Sequence, residues 1–303
     1  MKHSRISLLE RAAEVYDFEA ALRARVAAPV EARPPAEPFE LAEEARLAPP
    51  PRPAPPAPEG AATVDRAALA AVGYIVPEAP VSGLAEEFRL VKRQLLAGIA
   101  RRVSQPDEKR RSLLVTSAGP GEGKTFCALN LALSLAGEQE VEVLLVDGDF
   151  AQPDLLAKLG IAGAHGLVDA LADPSADPEA YVIRTDVAGL SVLPAGAKAN
   201  NVPELLASER TREVLTRLVA ADRRRIILFD SPPALMASAA AVLAAHVGQV
   251  LVVVRADRTT EADLREAIGL LAGADHVGLL LNGAGFAVTG RRFGAYEGYG
   301  DED

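Results

Sequence analysis

A glycine-rich segment has the residue types and spacing needed to bind phosphate groups. Its sequence, Ala118-Gly-Pro-Gly-Glu-Gly-Lys124-Thr125, fits the pattern [AG]-x4-G-K-[ST]. Small residues allow backbone N–H groups to converge on phosphate oxygens, and the positive end of a helix predicted to begin here adds to the attraction. In this pattern the lysine reaches the β- and γ-phosphates, while the threonine hydroxyl binds Mg²⁺. The segment therefore predicts a site for a nucleoside triphosphate.

Three carboxylates follow two apolar runs further along the chain. Asp147 and Asp149 come after Val-Leu-Leu-Val, and Asp230 comes after Ile-Ile-Leu-Phe and before Ser-Pro-Pro. If both runs are parallel strands, their carboxyl ends meet at one edge of the sheet, beside the phosphate loop. Asp230 then fits the Walker B arrangement, in which an aspartate orients Mg²⁺ directly or through water. We assign Thr125, Asp149 and Asp230 to the metal.

The elements that position these residues form a regular series from residue 112 onward. Short apolar runs lack period-2 alternation, which is typical of strands buried on both faces of a parallel sheet. The predicted strands are residues 113–116, 141–146, 190–193, 225–229, 250–254 and 277–281. The predicted helices are residues 84–101, 125–136, 203–220, 238–246 and 261–272. The series predicts an α/β fold, a P-loop NTPase with a mostly parallel sheet flanked by helices.

Four regions are predicted along the 303 residues. Residues 1–28 hold a short amphipathic helix, for which a marginally stable helix in a mobile tail is the alternative. Residues 29–82 are a Pro-rich linker within a disordered N-terminal region, since residues 29–58 hold eleven of the 22 prolines. Residues 83–285 form the P-loop domain, and residues 286–303 form a flexible tail that carries tyrosines.

Composition excludes several other classes of protein. The net charge of −10 argues against nucleic acid as a partner, because phosphate backbones bind Lys/Arg-rich surfaces. The single cysteine, Cys127, excludes a disulfide framework. Residues 234–254 lack charged side chains and are long enough to cross a bilayer, but their character changes from Ala-rich to Val-rich at Gly248. That change favours a helix, a turn and a buried strand over a membrane span.

The three motifs together resemble those of the bacterial tyrosine kinases (BY-kinases) of capsule and exopolysaccharide synthesis. That family has a Walker A loop, a D-x-D Walker A′ motif and a D-x-P-P Walker B motif, and the resemblance covers about residues 84–285. Glu86-Glu-Phe-Arg89-Leu-Val-Lys92 is similar to the E-x-x-R-x-x-[RK] element through which family members pack into rings. It implies an oligomer interface at Glu86, Arg89 and Lys92, and a solvated helix face is the alternative. The chain most resembles the soluble tyrosine autokinases linked to exosortase loci.

The resemblance implies a non-specific protein-tyrosine kinase that uses ATP and Mg²⁺. Lys124, Asp147, Asp149 and Asp230 are its catalytic residues, with Asp147 the candidate base, for which another of the three aspartates is the alternative. Tyr296 and Tyr299 are the implied autophosphorylation sites, reached in trans within a homo-oligomer. The residues expected to bind ATP are Gly119, Pro120, Gly121, Glu122, Gly123, Lys124, Thr125, Phe126 and Asn282.

The resemblance also implies a partner and a location. The partner is a membrane-bound chain-length-determinant protein, a polysaccharide co-polymerase that acts as adaptor. The expected location is cytoplasmic, peripheral at the inner membrane through that partner.

Two departures from the family keep other functions open. Ala151 stands where the family's D-x-D-x-R motif has arginine, and the C-terminal tyrosine cluster is reduced to two residues. A nucleotide-binding adaptor without kinase activity therefore remains an alternative. A ParA/MinD-like regulatory ATPase is another, although Gly119 occupies the position of the signature lysine of that class.

Overall fold

The computed structural model describes residues 60–284, which form a seven-stranded sheet covered by helices on both faces. The strand order is β3-β4-β2-β5-β1-β6-β7, and every neighbouring pair is parallel except β3–β4. The strands are β1 (Ser112–Ser117), β2 (Glu142–Asp147), β3 (Ile183–Arg184), β4 (Leu190–Leu193), β5 (Arg225–Asp230), β6 (Gln249–Arg255) and β7 (Val277–Asn282). The α/β class and the mostly parallel sheet are confirmed.

Helices fill the intervals between the strands, and a 3₁₀ turn at Pro178–Tyr181 precedes β3. The α-helices are α1 (Arg66–Val72), α2 (Gly83–Arg101), α3 (Asp107–Arg110), α4 (Lys124–Ala136), α5 (Leu155–Leu159), α6 (Leu167–Ala172), α7 (Val202–Leu206), α8 (Glu209–Ala221), α9 (Ser238–His246) and α10 (Glu261–Leu270).

The core consists of two apolar layers, one on each face of the sheet. Successive residues of β1 enter different layers: Leu113 and Val115 pack with α2 and α4, whereas Leu114 packs with α8 and α9. Every residue of β1 is buried, because side chains of a strand alternate between two covered faces. This explains the lack of period-2 alternation in the sequence.

The structure differs from the predicted elements in several places. The helix predicted over residues 203–220 is two helices, because the backbone at Ser208 is extended and α8 begins after it. The hydroxyls of Ser208 and Thr211 both donate to the carbonyl of Leu205, at 2.6 and 3.1 Å, which ties the two helices together at the break. The short edge strand β3 was not predicted, nor were the short helices α1, α3, α5 and α6.

The linker predicted for residues 29–82 needs a correction at its C-terminal end. Residues 60–82 pack on the domain: Ala62 bridges Thr185, and the fully buried Leu69 lies on α1. The ring of Tyr74 lies 5.1 Å from that of Phe126. The apolar side chains of Val64, Leu69 and Tyr74 join the core, so the domain begins before α2. The rest of the linker, the helix of residues 1–28 and the tail of residues 286–303 lie outside the described residues.

The uncharged segment 234–254 divides as expected between a helix and a strand. It contains α9 and most of β6, and the turn at Gly248 separates them. Among residues 60–284, no helix has both the length and the apolar character required to cross a bilayer.

Candidate functional site

The phosphate loop connects the end of β1 to the start of α4. It comprises residues 118–123, and α4 begins at Lys124 directly after Gly123, whose φ is +95°. A Cβ at Gly123 would collide with the side-chain amide nitrogen of Asn282. Only glycine satisfies both conditions at this position. The loop therefore presents its backbone N–H groups and the N-terminus of α4 at the carboxyl edge of the sheet.

The acidic residues lie at the same edge on neighbouring strands. Asp147 ends β2 and Asp230 ends β5, and the two residues are partners in the parallel register. The N–H of Gly148 donates to the carbonyl of Asp230 at 2.7 Å, which fixes the turn after β2 against β5. Because β5 also pairs with β1, Asp230 lies on the strand next to the one that leads into the phosphate loop, and Asp147 lies one strand further away.

Lys124 connects the loop to the third acid. Its ammonium nitrogen lies 2.9 Å from Oδ2 of Asp149 and 3.5 Å from Oγ1 of Thr125. The carboxylate of Asp147 accepts the N–H of Asp149 at 3.2 Å and that of Leu155 at 3.3 Å, so it shapes the turn that carries Asp149. The structure thus brings Lys124, Thr125, Asp147, Asp149 and Asp230 together.

Burial changes the protonation of this cluster. Burial raises the pKa of Asp230 to about 7, against the lowering effects of the Lys124 charge and a hydrogen bond from Thr125. Burial also raises the pKa of Asp147 to about 6, although two backbone hydrogen bonds lower it. For Lys124, burial lowers the pKa, but the attraction of Asp230 and Asp149 outweighs burial and raises it overall. Strongly shifted groups in one cleft are typical of functional sites.

The site has a donor set that suits a hard cation. Asp230 is 1% exposed, and within residues 60–284 its Oδ1 atom has no hydrogen-bond partner. Buried polar atoms are nearly always partnered, so this oxygen indicates an additional ligand. The Thr125 hydroxyl and the Asp149 carboxylate lie beside the same lysine, and oxygen donors of these types are those that Mg²⁺ prefers.

The remaining residues predicted to bind nucleotide occupy varied positions. Gly119, Pro120 and Gly121 lie in the loop, where Pro120 and Gly121 are exposed. Phe126 lies in the first turn of α4, where its ring packs on Tyr74. Asn282 ends β7, and its side chain donates to the carbonyl of Glu122 at 2.9 Å.

Glu122 differs from its neighbours in the loop. Its side chain is 3% exposed and accepts hydrogen bonds from Gly119 and Thr259. Its carboxylate is thus fully engaged within the chain.

The three residues predicted as an oligomer interface do not share one environment. Glu86 and Arg89 form an ion pair on the exposed part of α2. Lys92 is buried, donates to the carbonyl of Ser134 at 2.8 Å and pairs with Glu138 at 2.6 Å. The side chain of Lys92 therefore belongs to the packing of α2 on α4.

Two features near the site were not found from the sequence. Tyr74 packs over the start of α4. Burial raises the pKa of its hydroxyl to about 12, and the negative charges of Asp154 and Asp230 act in the same direction. Thr259 connects to the phosphate loop through Glu122. Nothing in the sequence connects Tyr74 with α4, or Thr259 with a residue 137 positions away.

The fold and the cluster of lysine and aspartates define a nucleotide-binding protein of the P-loop class. A family model described as an AAA domain matches residues 113–268. The chain is 35% identical over 169 residues to the putative tyrosine-protein kinase EpsB of Ralstonia nicotianae, a match that covers 56% of this chain and 22% of EpsB. The chain thus spans about a fifth of that relative's length.

Solved kinase domains have the same fold. The BceF tyrosine kinase domain is 32% identical with a TM-score of 0.55, over 65% of this chain and 76% of that domain. The kinase domain of Escherichia coli tyrosine kinase ETK is 25% identical with a TM-score of 0.59, over 77% of this chain and 92% of that domain. The chain belongs to this AAA-domain family and, within it, to the bacterial tyrosine kinases.

Proposed function

We propose that this protein is an ATP-dependent protein-tyrosine autokinase that regulates exopolysaccharide or capsule synthesis and export. The observation that carries the proposal is the convergence of Lys124 with Asp147, Asp149 and Asp230 at one edge of the sheet. The names of the relatives as tyrosine kinases support the same reaction. The link to polysaccharide rests on the resemblance of the motifs.

The phosphate loop and its lysine would bind the triphosphate of ATP. Backbone N–H groups of residues 121–125 and the ammonium of Lys124 supply the positive field at the N-terminus of α4. Thr125, Asp149 and Asp230 would hold Mg²⁺, which neutralises phosphate charge when it is bound. The unpartnered Oδ1 of Asp230 supports this assignment.

The proposed reaction moves the γ-phosphoryl group of ATP to a tyrosine hydroxyl. A bond forms between the phenolic oxygen and the γ-phosphorus, the bond from that phosphorus to the β–γ bridging oxygen breaks, and ADP leaves. A free phenol has a pKa of about 10, so its proton needs an acceptor during attack. Asp147 is our candidate acceptor, because a pKa of about 6 leaves it ionised at neutral pH yet basic enough to take a proton.

The acceptors and partners of the reaction follow from the resemblance. Tyr296 and Tyr299 are the proposed acceptors, offered to the active site of a neighbouring copy, and Glu86 and Arg89 on exposed α2 are proposed to contact that copy. A membrane-bound polysaccharide co-polymerase is the proposed activator, which would bring this chain to the cytoplasmic side of the inner membrane.

Incubation of the purified protein with MgATP tests the proposal. We expect phosphotyrosine on the chain, and its loss in the double variant Tyr296→Phe/Tyr299→Phe. Release of phosphate without labelling would instead indicate a regulatory ATPase, and neither product would indicate a nucleotide-binding adaptor. Labelling that persists in the double variant would remove the tail from the proposal.

Transfer between copies needs a separate mixture. A chain with Lys124→Ala has an intact tail, and the double tyrosine variant has an intact active site. We expect the mixture to label the Lys124→Ala chain, whereas transfer within one copy would leave both chains unlabelled.

A further inference from the structure

A carboxylate is buried inside the phosphate loop itself. Glu122 Oε2 accepts the N–H of Gly119 at 2.9 Å, and Oε1 accepts the hydroxyl of Thr259 at 2.5 Å. The residue is 3% exposed. Burial of a carboxylate is costly unless its oxygens are hydrogen-bonded, so these two contacts specify where the side chain lies.

Thr259 links the phosphate loop to the segment that follows β6. It is 1% exposed, and its Oγ1 also accepts the N–H of Arg255 at 2.8 Å. The next residue, Thr260, caps the N-terminus of α10. One hydroxyl therefore joins the loop to the place where β6 ends and α10 begins.

Two further contacts hold the same flank of the loop. The side chain of Asn282 donates to the carbonyl of Glu122 at 2.9 Å, and the guanidinium of Arg255 donates to the carbonyl of Gly121 at 3.4 Å. These contacts come from β6 and β7, on one side of β1, whereas Asp147 and Asp230 lie on β2 and β5, on the other side. The loop is thus held from the side opposite the acids.

The position of Glu122 implies a role that differs from direct contact with nucleotide. Its carboxylate accepts the N–H of Gly119, three positions earlier, and so links the two ends of the loop to each other. A loop that is ordered before the ligand arrives loses less conformational entropy on binding. Loops rich in glycine have the most entropy to lose.

We propose that Glu122 and Thr259 are a positioning pair that preorganises the phosphate loop for nucleotide. The proposal rests on the nucleotide-binding part of the proposed function and requires no kinase activity. Neither side chain acts on the reacting atoms; both act through the backbone of residues 119–123 and through the end of β6.

The affinity for a fluorescent ADP analogue with Mg²⁺ tests the pair. Thr259→Val removes the hydroxyl and keeps the shape, and we expect it to weaken binding about tenfold. Thr259→Ser retains the hydroxyl and should bind within about twofold of wild type. Glu122→Ala should weaken binding at least as much as Thr259→Val, and the double variant no more than Glu122→Ala alone. Thr216→Val, at an exposed threonine of α8, is the matched control.

Amide hydrogen exchange separates positioning from general loss of stability. We expect Thr259→Val to speed exchange in residues 119–125 while exchange in β1 stays as in wild type. Unchanged ADP affinity in Thr259→Val, equal losses in Thr259→Ser and Thr259→Val, or strictly additive losses in the double variant would each overturn the proposal. If the wild type labels no tyrosine with MgATP, the proposed function fails, while the ADP affinities still decide the role of the pair.

Discussion

The ammonium of Lys124 lies 2.9 Å from the carboxylate of Asp149, in an ion pair of which each side chain is only 15% exposed. The pair joins the first residue of α4 to the turn after β2. We assign the same ammonium to phosphate and the same carboxylate to Mg²⁺. On that proposal the ion pair would compete with nucleotide for Lys124, and Asp149 would release the lysine when it holds Mg²⁺ instead.

Replacing Asp149 separates these two effects. Asp149→Asn removes the negative charge and nearly preserves the size, so in EDTA we expect ADP to bind as tightly as to wild type or up to about tenfold more tightly. We expect Mg²⁺ to raise the ADP affinity of the variant much less than it raises that of wild type. Calorimetric titration with ADP in both conditions measures the two affinities.

A distant ion pair provides the control for this experiment. Lys109 and Asp275 lie 2.8 Å apart, away from the loop, so Asp275→Asn should bind ADP as wild type does in both conditions. Weaker binding by Asp149→Asn in EDTA would contradict competition between Asp149 and phosphate.

The buried charge of Asp230 should reduce stability at neutral pH. Since the pKa is about 7 in the folded state and near 3.8 as its ordinary value, the folded state binds the proton more tightly. The contribution of Asp230 to the free energy of unfolding should therefore fall as pH rises from about 4 to about 7 and stay low above that. Asp230→Asn removes this cost, so we expect it to stabilise the chain by on the order of 2 kcal/mol above pH 7.

Urea unfolding of Asp230→Asn across pH 4–8 measures this effect. The difference from wild type should vanish near pH 4, where the native carboxyl is protonated. Asp173→Asn is the control: hydrogen bonds from Ser175 lower the pKa of Asp173, so it should give no gain at neutral pH. A loss of stability in Asp230→Asn at pH 8 would show that the carboxylate stabilises the fold.

Residues before α2 should contribute to the stability of the domain. Tyr74 is 7% exposed and packs on Phe126, so Tyr74→Ala should lower the free energy of unfolding by about 2–4 kcal/mol. Tyr74→Phe retains the ring and should cost little. Val72→Ala on the same segment, at a side chain 64% exposed, should be near neutral.

Truncation tests the same segment without substitutions. A chain that begins at residue 60 should unfold with the same midpoint in urea as the domain of the full chain. A chain that begins at residue 77 loses Leu69 and Tyr74 and should be much less stable. Equal midpoints for the two chains would show that residues 60–76 do not stabilise the domain, and the linker would then end at residue 82 as predicted from the sequence.

Glu86 and Arg89 of α2 should act in the contact between copies, whereas Lys92 of the same helix should act in the stability of the fold. Glu86→Ala/Arg89→Ala removes an exposed ion pair and should change stability by less than about 1 kcal/mol. If this face contacts a neighbouring copy, the double variant should shift the sedimentation profile toward monomer. Lys92→Ala should instead lower stability by about 1–3 kcal/mol, because it leaves the Ser134 carbonyl and Glu138 without their partner.

Sedimentation and urea unfolding of both variants distinguish the two roles. An unchanged oligomer in Glu86→Ala/Arg89→Ala would place the contact between copies elsewhere. If the Lys92→Ala variant is as stable as wild type but its oligomer dissociates, Lys92 lies at the contact between copies.

Elements whose pattern is local were predictable from the sequence. The six main strands are found within two residues of their predicted ends, because strands covered on both faces must be apolar throughout. The acids at positions 147 and 230 share an edge because parallel strands place their carboxyl ends together. The phosphate loop was evident from its glycines and from the lysine beside them.

Contacts between distant segments were not predictable. Thr259 reaches Glu122 only because β6 lies beside β1, and Tyr74 reaches Phe126 only because the chain returns across α4. The burial of Lys92 depends on the approach of α2 to α4, since its sequence pattern is equally that of an exposed lysine. Each case depends on tertiary packing, which a pattern along one segment does not contain.

Phosphotyrosine formed in the presence of MgATP tests the central claim most directly, when wild type is compared with Lys124→Ala and Lys109→Ala. Our account predicts labelling of wild type and of Lys109→Ala, and none of Lys124→Ala, because Lys124 directly follows the phosphate loop and pairs with Asp149, whereas Lys109 pairs with Asp275. Equal labelling of all three proteins, or labelling of none, would contradict phosphoryl transfer at this site.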